Sequence, residues 1–185
     1  MPAKKQITKE MILTTAFEML REGGMSAVNV KTLADRLHCS TQPIYLSFES
    51  MDSLRTELAA MAVKTFEEQM LTSSGTARLY GTAYIHFARK EKELFRFLFM
   101  RQNAFSELKT ILAPMMDQSI SYLMERYHIT WEKAHYLHDQ LWVHSHGIAS
   151  MIATGFCDWD DEKVQAMIIE CEQSLCQKYE VQYVQ

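Results

Sequence analysis

The chain has few residues that break helices: its 185 positions hold only six glycines and three prolines. Four cysteines (Cys39, Cys157, Cys171, Cys176) show no CxxC spacing, so free thiols in a reducing compartment are expected. No run approaches the ~18 apolar residues of a membrane span, and the polar, lysine-bearing N-terminus lacks the pattern of a secretory leader. A cytoplasmic protein without membrane association is the expectation. There is no glycine-rich phosphate loop, no Gly-x-Ser-x-Gly and no His-Glu-x-x-His, so neither an enzyme nor a cofactor is expected. The net charge of −4 is too slight to identify a partner.

What the chain does have is helix-forming composition and 48% hydrophobic residues, enough for a packed core. No alternating strand pattern and no internal repeat occurs, so the predicted fold is all-α, with about nine helices. Ile12, Ala16 and Leu20 recur at four-residue steps in a helix over 8–22, capped by Thr8 and ended by the glycines at 23 and 24. A second helix starts at Asn29 as N-cap and buries Leu33, Ala34 and Leu37. Its pattern stops at "HCS", with His38 expected at positive φ.

Pro43, which would break a helix interior, fits a first turn, where amides have no intrahelical acceptor. A third helix therefore begins at 41 with Ser40 as its cap. Two short helices around a tight break, the second opening with small polar side chains, form a helix-turn-helix. A fourth helix over 51–71 buries Leu54, Leu58, Met61, Ala62 and Phe66. "TSSGT" at 72–76 reads as a boundary, followed by helices near 77–89, 91–101, 105–127, 131–155 and 160–179. Pro114 bends or divides the third of these, and Asp158 or Asp160 caps the last. The expected organisation is a DNA-binding unit over 1–50, a connecting helix over 51–71, and a C-terminal helical bundle over 72–185. Charge divides the same way: +1 over residues 1–55 and −5 over the rest.

Residues 7–58 resemble the DNA-binding domain of TetR-family bacterial regulators. The resemblance rests on Ala16 and Leu20 before "EGG", on "VNVKTLADRLHCS", on "IYLSF" where the family has leucine-tyrosine-x-x-phenylalanine, and on Leu54. A second likeness lies in Trp142, His146 and Gly147, which meet the Trp-x-x-x-His-Gly motif of one group of such proteins. "AYIHFARKEKELFRFLF" at 83–99 is similar to that group's fifth and sixth helices. The resemblance implies a C-terminal domain that dimerises through its last two helices and encloses an effector pocket. One departure is that Glu49 and Met51 stand where the family often has phosphate-gripping lysines, which shifts reliance to Lys4, Lys5, Lys9 and Lys31.

On this reading double-stranded DNA is the partner. Gln42 suits an adenine edge, Thr41 and Pro43 a thymine methyl, and Ser40, Thr41, Tyr45 and Lys31 phosphate oxygens. Ile44 and Phe48 are assigned to the core. One such helix reads too few base pairs to be selective, so a homodimer on a near-palindromic operator is expected. Gly147, Ile148, Met151, Ile152, Ile168 and Leu175 are its candidate interface; the same residues also suit a monomer's core. Phe87, Phe99, Met100, Met116, Tyr122, Trp142 and His146 are candidates for a pocket taking a small apolar or aromatic effector, or for a solid helical core. A metal-responsive sensor using His135, His138 and Asp139, and a helical binding protein that has lost DNA affinity, are the alternatives.

Overall fold

The helix starts are set by side chains that satisfy otherwise orphaned amides. Thr8 Oγ1 accepts the Met11 amide at 3.2 Å, and Asp160 Oδ1 accepts the Lys163 amide at 2.8 Å. Asn29 Oδ1 takes the amides of Lys31 and Thr32 at 3.1 Å each, and Thr32 Oγ1 accepts the Asn29 amide in return. Such reciprocal capping stabilises a helix end by about 1 kcal/mol.

The computed structural model describes residues 7–72 and 78–179, without the side chains of 72, 78–80 and 105–107. Lys4, Lys5 and positions 73–76 of the expected boundary lie outside the described residues. The described residues are mostly helical and form no strand. Its helices are α1 (Lys9–Gly23), α2 (Val30–Arg36), α3 (Gln42–Ser47), α4 (Met51–Thr72), α5 (Arg78–Lys90), α6 (Lys92–Phe99), α7 (Ala104–Tyr127), α8 (Trp131–Ala153) and α9 (Asp161–Lys178). A short 3-10 turn, Met25–Ala27, follows α1. No helix among the described residues is long and apolar enough to cross a membrane.

The break between α2 and α3 is a left-handed cap on α2. His38 has φ +53, its amide bonds to the Asp35 carbonyl, and the Cys39 amide reaches back to the Ala34 carbonyl. That pair of bonds closes the helix end, and it places Cys39 against the core. The next start falls one residue later than the sequence suggests. Thr41 rather than Ser40 holds the N-cap position of α3, and its own helical backbone angles leave its side chain without a capping bond. Pro43 stays in the first turn. Pro114 does not divide α7, which runs continuously from Ala104 to Tyr127.

Buried Ile12, Ala16 and Leu20 of α1, Leu33 and Ala34 of α2, Ile44 and Phe48 around α3, and Leu54 and Leu58 of α4 pack together. They belong to one core that continues through Phe87, Phe95 and Ile148 to Ile168. A second, smaller core of Ile120, Leu123, Tyr127, Ala134, Leu137 and Cys176 occupies the far end of α7–α9. Two features tie α1 to α6. The Arg21 guanidinium donates Nε–H to Glu91 Oε2 at 2.9 Å and a second N–H to Glu91 Oε1, and this contact raises the guanidinium pKa. Gly24 has φ +70, and any Cβ there would lie 2.5 Å from Glu93 Oε2, so this corner requires glycine.

Candidate functional site

Burying Ile44 and Phe48 turns the rest of α3 outward. Ser40, Thr41 and Gln42 are exposed, Pro43 is half-buried, and Tyr45 is 67% exposed. Leu46, which the sequence reading passed over, is 80% exposed. It lies one turn from Gln42 on the face opposite Ile44, and the helical spacing alone pointed to it. The surface is therefore a small mixed one: amide, hydroxyls, a phenol and two apolar side chains.

Cations around this surface are mostly engaged within the molecule. Lys9 Nζ pairs with Glu57 Oε1 at 2.6 Å and lies over the Phe48 ring. Arg36 makes a two-pronged bond to Glu22, with both N···O distances at 2.6 Å; that bond lowers the Glu22 pKa and raises that of Arg36. Arg55 lies over the Phe97 ring, 5.9 Å from its centroid. Lys31 is exposed at the start of α2 and forms no ion pair among the described residues.

A second feature lies where the two cores meet. A cavity of about 140 Å³ opens between α4, α5, α7, α8 and α9. Phe66, Met70, Leu112, Met115, Met116 and Leu141 form most of its apolar wall, and Ser119, Tyr122, His138, Trp142, Ser145 and Glu172 also line it. Gly81 belongs to this wall, and a Cβ at that position would approach Ser145 Oγ to 2.9 Å, so a larger residue there would require the Ser145 hydroxyl to turn away. Tyr84 contributes to the wall, and its hydroxyl lies 2.8 Å from His146 Nδ1. Burial lowers the pKa of both His146 and His138, and His138 Nδ1 lies 3.0 Å from Ser119 Oγ.

Of the candidate pocket residues, the structure brings Met116, Tyr122 and Trp142 to this cavity. Phe87, Phe99, Met100 and His146 do not line it. Phe87 is wholly buried, its ring 5.1 Å from that of Phe66, and Phe99 packs on Phe66, Tyr84 and Phe95. Met100 follows the last turn of α6 and is exposed. His146 lies behind Tyr84, beside the rings of Phe95 and Trp142.

The candidate interface residues also divide. Ile148, Ile152 and Ile168 are buried in the chain's own core, so they are not available to a partner; Ile168 lines the cavity. Leu175 packs half-buried on the second core. Gly147 and Met151 face outward: a Cβ at Gly147 would meet nothing within 4 Å, and Met151 is exposed together with Val143 on the same side of α8. The histidines proposed for a metal go different ways. His135 Nδ1 faces Asp139 at 3.4 Å while His138 turns to Ser119, and no group of three or more candidate metal ligands occurs among the described residues.

Two family models match the chain. One, described as bacterial regulatory proteins of the tetR family, matches residues 12–58. The other, described as a tetracyclin repressor-like C-terminal domain, matches residues 77–170. No curated protein sequence matches. Among solved structures, a transcriptional regulator from Rhodococcus sp. RHA1 aligns over 93% of this chain and 97% of its own, with a TM-score of 0.70 at 15% identity. A TetR-like transcriptional regulator from the same organism gives 96%, 98%, 0.65 and 15%. A TetR variant from Acinetobacter baumannii AYE in complex with minocycline gives 95%, 97%, 0.54 and 16%.

Proposed function

The chain belongs to the TetR family of bacterial transcriptional regulators, and from that premise we propose that it is a cytoplasmic, homodimeric repressor released from DNA by a small ligand. The observation that carries this reading is the face of α3: Gln42, Tyr45 and Leu46 stand exposed on a helix whose other side is anchored by Ile44 and Phe48. A side chain amide, a phenol and apolar groups on a short anchored helix can enter a major groove and read base edges. The two-fold dimer would place two such helices on half-sites of a near-palindromic operator. Gly147, Val143 and Met151 on the outer side of α8 are the surface this reading gives to the partner.

The cavity supports the ligand half of the proposal. Phe66 and Met70 of α4 form part of its wall, and α4 begins at Met51, four residues after α3 ends. A molecule wedged against Phe66 therefore acts on the helix that carries the reading head. Phe66 also touches Tyr84, Phe87 and Phe99, so the same push reaches α6 and, through Glu91, Arg21 of α1. Release follows if the ligand binds more tightly to the shape that separates the two recognition helices wrongly for one duplex.

Selection of bound sequences from random duplex DNA tests the proposal. A two-fold consensus is expected; no enrichment even at ~50 mM salt would overturn it. That negative result would instead favour a helical ligand-binding protein without DNA affinity, a reading supported by Glu49 and Met51 at the usual lysine positions and by the engaged Lys9 and Arg36.

A further inference from the structure

Several polar groups in the cavity wall are already committed within the protein. The Tyr84 hydroxyl lies on His146 Nδ1, the Tyr122 hydroxyl accepts from Arg126 at 3.0 Å, and Glu172 accepts the hydroxyl of Tyr127. Ser145 stands apart. It is only 5% exposed and lines the cavity, yet its hydroxyl forms no hydrogen bond among the described residues. It does not even turn back to the carbonyl one turn earlier, where a helical serine often bonds. Gly81 leaves it room on the α5 side, since a Cβ there would stand 2.9 Å from Ser145 Oγ. A second polar group lies two turns away on the same face of α8, where His138 Nδ1 lies 3.0 Å from Ser119 Oγ. That bond uses one imidazole nitrogen; the other, and the remaining capacity of the Ser119 hydroxyl, are unmet among the described residues.

Buried polar groups are nearly always hydrogen-bonded, so this wall suits a guest that brings the missing partners. The rise from His138 to Ser145 is about 10.5 Å along α8. A hydrogen bond of about 2.8 Å at each end leaves roughly 5 Å, the span of one aromatic ring bearing oxygens at opposite ends. The volume of about 140 Å³ agrees with one ring, since an engineered apolar cavity of about 150 Å³ takes benzene. Phe66, Met70, Met115 and Met116 supply the surface such a ring packs on. A hydroxyl both donates and accepts, so it can meet a serine in either orientation and an imidazole in either tautomer. Charge is disfavoured. The carboxylate in the wall is engaged with Tyr127, and burial holds His138 toward its neutral form, so an entering ion gives up hydration that this wall does not replace.

We propose that the ligand is an uncharged one-ring aromatic compound with a hydroxyl at each end, one on Ser145 Oγ and the other on the Ser119–His138 pair. This deepens the reading of the cavity as the ligand site and rests on it. The test titrates the full chain by calorimetry at pH 7.5 with five probes of similar shape. 4-Hydroxybenzyl alcohol carries both hydroxyls; 4-ethylphenol and 4-methylbenzyl alcohol each lack one; 4-hydroxybenzoate and 4-hydroxybenzylamine carry a charge at one end. 4-Hydroxybenzyl alcohol should bind about fivefold tighter than either single-hydroxyl analogue, as one net hydrogen bond of about 1 kcal/mol requires. Both ions should bind more weakly than it does. Ser145→Ala should erase the advantage over one analogue, and Ser119→Ala the advantage over the other. Leu141→Trp, which fills the cavity, should weaken all the neutral probes alike. Equal binding of the three neutral probes, serine variants that leave the ratios unchanged, or an ion that binds as tightly would overturn this proposal while leaving the cavity as a ligand site. Binding by none of the five would overturn both.

Discussion

Removing Arg21 tests whether the tie between α1 and α6 stabilises the fold and carries the ligand's signal. Glu91 is 7% exposed and accepts two bonds from one guanidinium, while Arg21 itself is about half exposed. Stripping the partner from a wholly buried carboxylate costs about 3–5 kcal/mol. Here water can follow the vacated arginine, so Arg21→Met should cost about 2 kcal/mol. Glu91→Gln keeps an accepting oxygen and frees a cation that can turn to solvent, so about 1 kcal/mol is expected. The double variant should cost about 2 kcal/mol rather than 3, a coupling of roughly 1 kcal/mol. Urea unfolding with an unchanged slope measures all three; simple additivity of the two single variants would refute the bidentate bond. The functional arm is separate. Because the pair joins the two regions away from α3, Arg21→Met should leave ligand-free operator affinity near its original value and weaken ligand-induced release. Release at full strength would show that the signal travels without this pair.

Lys31→Ala should reduce the slope of log K against log salt by about 2 for a dimer, since each phosphate no longer neutralised accounts for about 0.9; an unchanged slope removes Lys31 from the interface. Gln42→Ala and Leu46→Ala should each relax discrimination at one operator position by about 1–3 kcal/mol without moving the melting temperature, as read by binding to single-base operator variants. Gly147→Leu should yield monomers in sedimentation, while the chain's own packing is undisturbed because the new Cβ meets open space; a persistent dimer would place the interface elsewhere. Burial lowers the pKa of His146 and His138 from the ordinary value of 6.5. The unfolded chain therefore binds more protons, so stability should fall as the pH drops below about 6.5. His146→Gln should flatten that fall in a melting-temperature series, and a profile of unchanged steepness would remove His146 as a contributor.

Local chemistry was the legible part of this sequence. Asn29, Thr8, Asp160, His38 and Pro43 act through atoms a few residues away, and the helix pattern they punctuate was readable from their types and spacing. The start of α3 slipped by one residue because both Ser40 and Thr41 are suitable caps by type, and only the backbone angles of Thr41 decide between them. Longer-range assignments were ambiguous for a physical reason. Helices α5 and α8 are packed on more than one side, so an apolar spacing says that Phe87 and Ile148 are buried without saying against what. Met116 and Ile168 meet at one cavity though 52 positions apart in the chain. Val143 and Met151, apolar yet exposed, run against the rule that reads such residues as core. Glu91 and Glu172 were missed for the opposite reason: pattern reading assigns a charged residue to water, and both are buried by partners, Arg21 and Tyr127, that lie 70 and 45 positions away.

A set of packed rings lies between the cavity and Glu91, and on the proposed reading it sets what a ligand must do. Glu172 lies in the cavity wall; Phe66 and Tyr84 share that wall and belong also to the ring cluster of Phe87, Phe95 and Phe99. Glu91 sits at the corner joining α5 to α6 and grips α1. Ring pairs of this kind are worth about 0.5–1.5 kcal/mol each beyond burial, so rearranging a few of them is of the same order as a coupling that changes operator affinity about 5- to 150-fold. A guest that merely fills space beside Phe66 in both shapes of the protein contributes nothing to release, however tightly it binds. The discriminating interaction must differ between the shapes. If the cavity is the ligand site, as proposed, Tyr84 is placed to do this, since it lines the cavity while its hydroxyl lies 2.8 Å from His146 Nδ1 on α8. A ligand that turns this ring must break the 2.8 Å bond or carry α8 with it, and either route converts occupancy into movement of the helices around it.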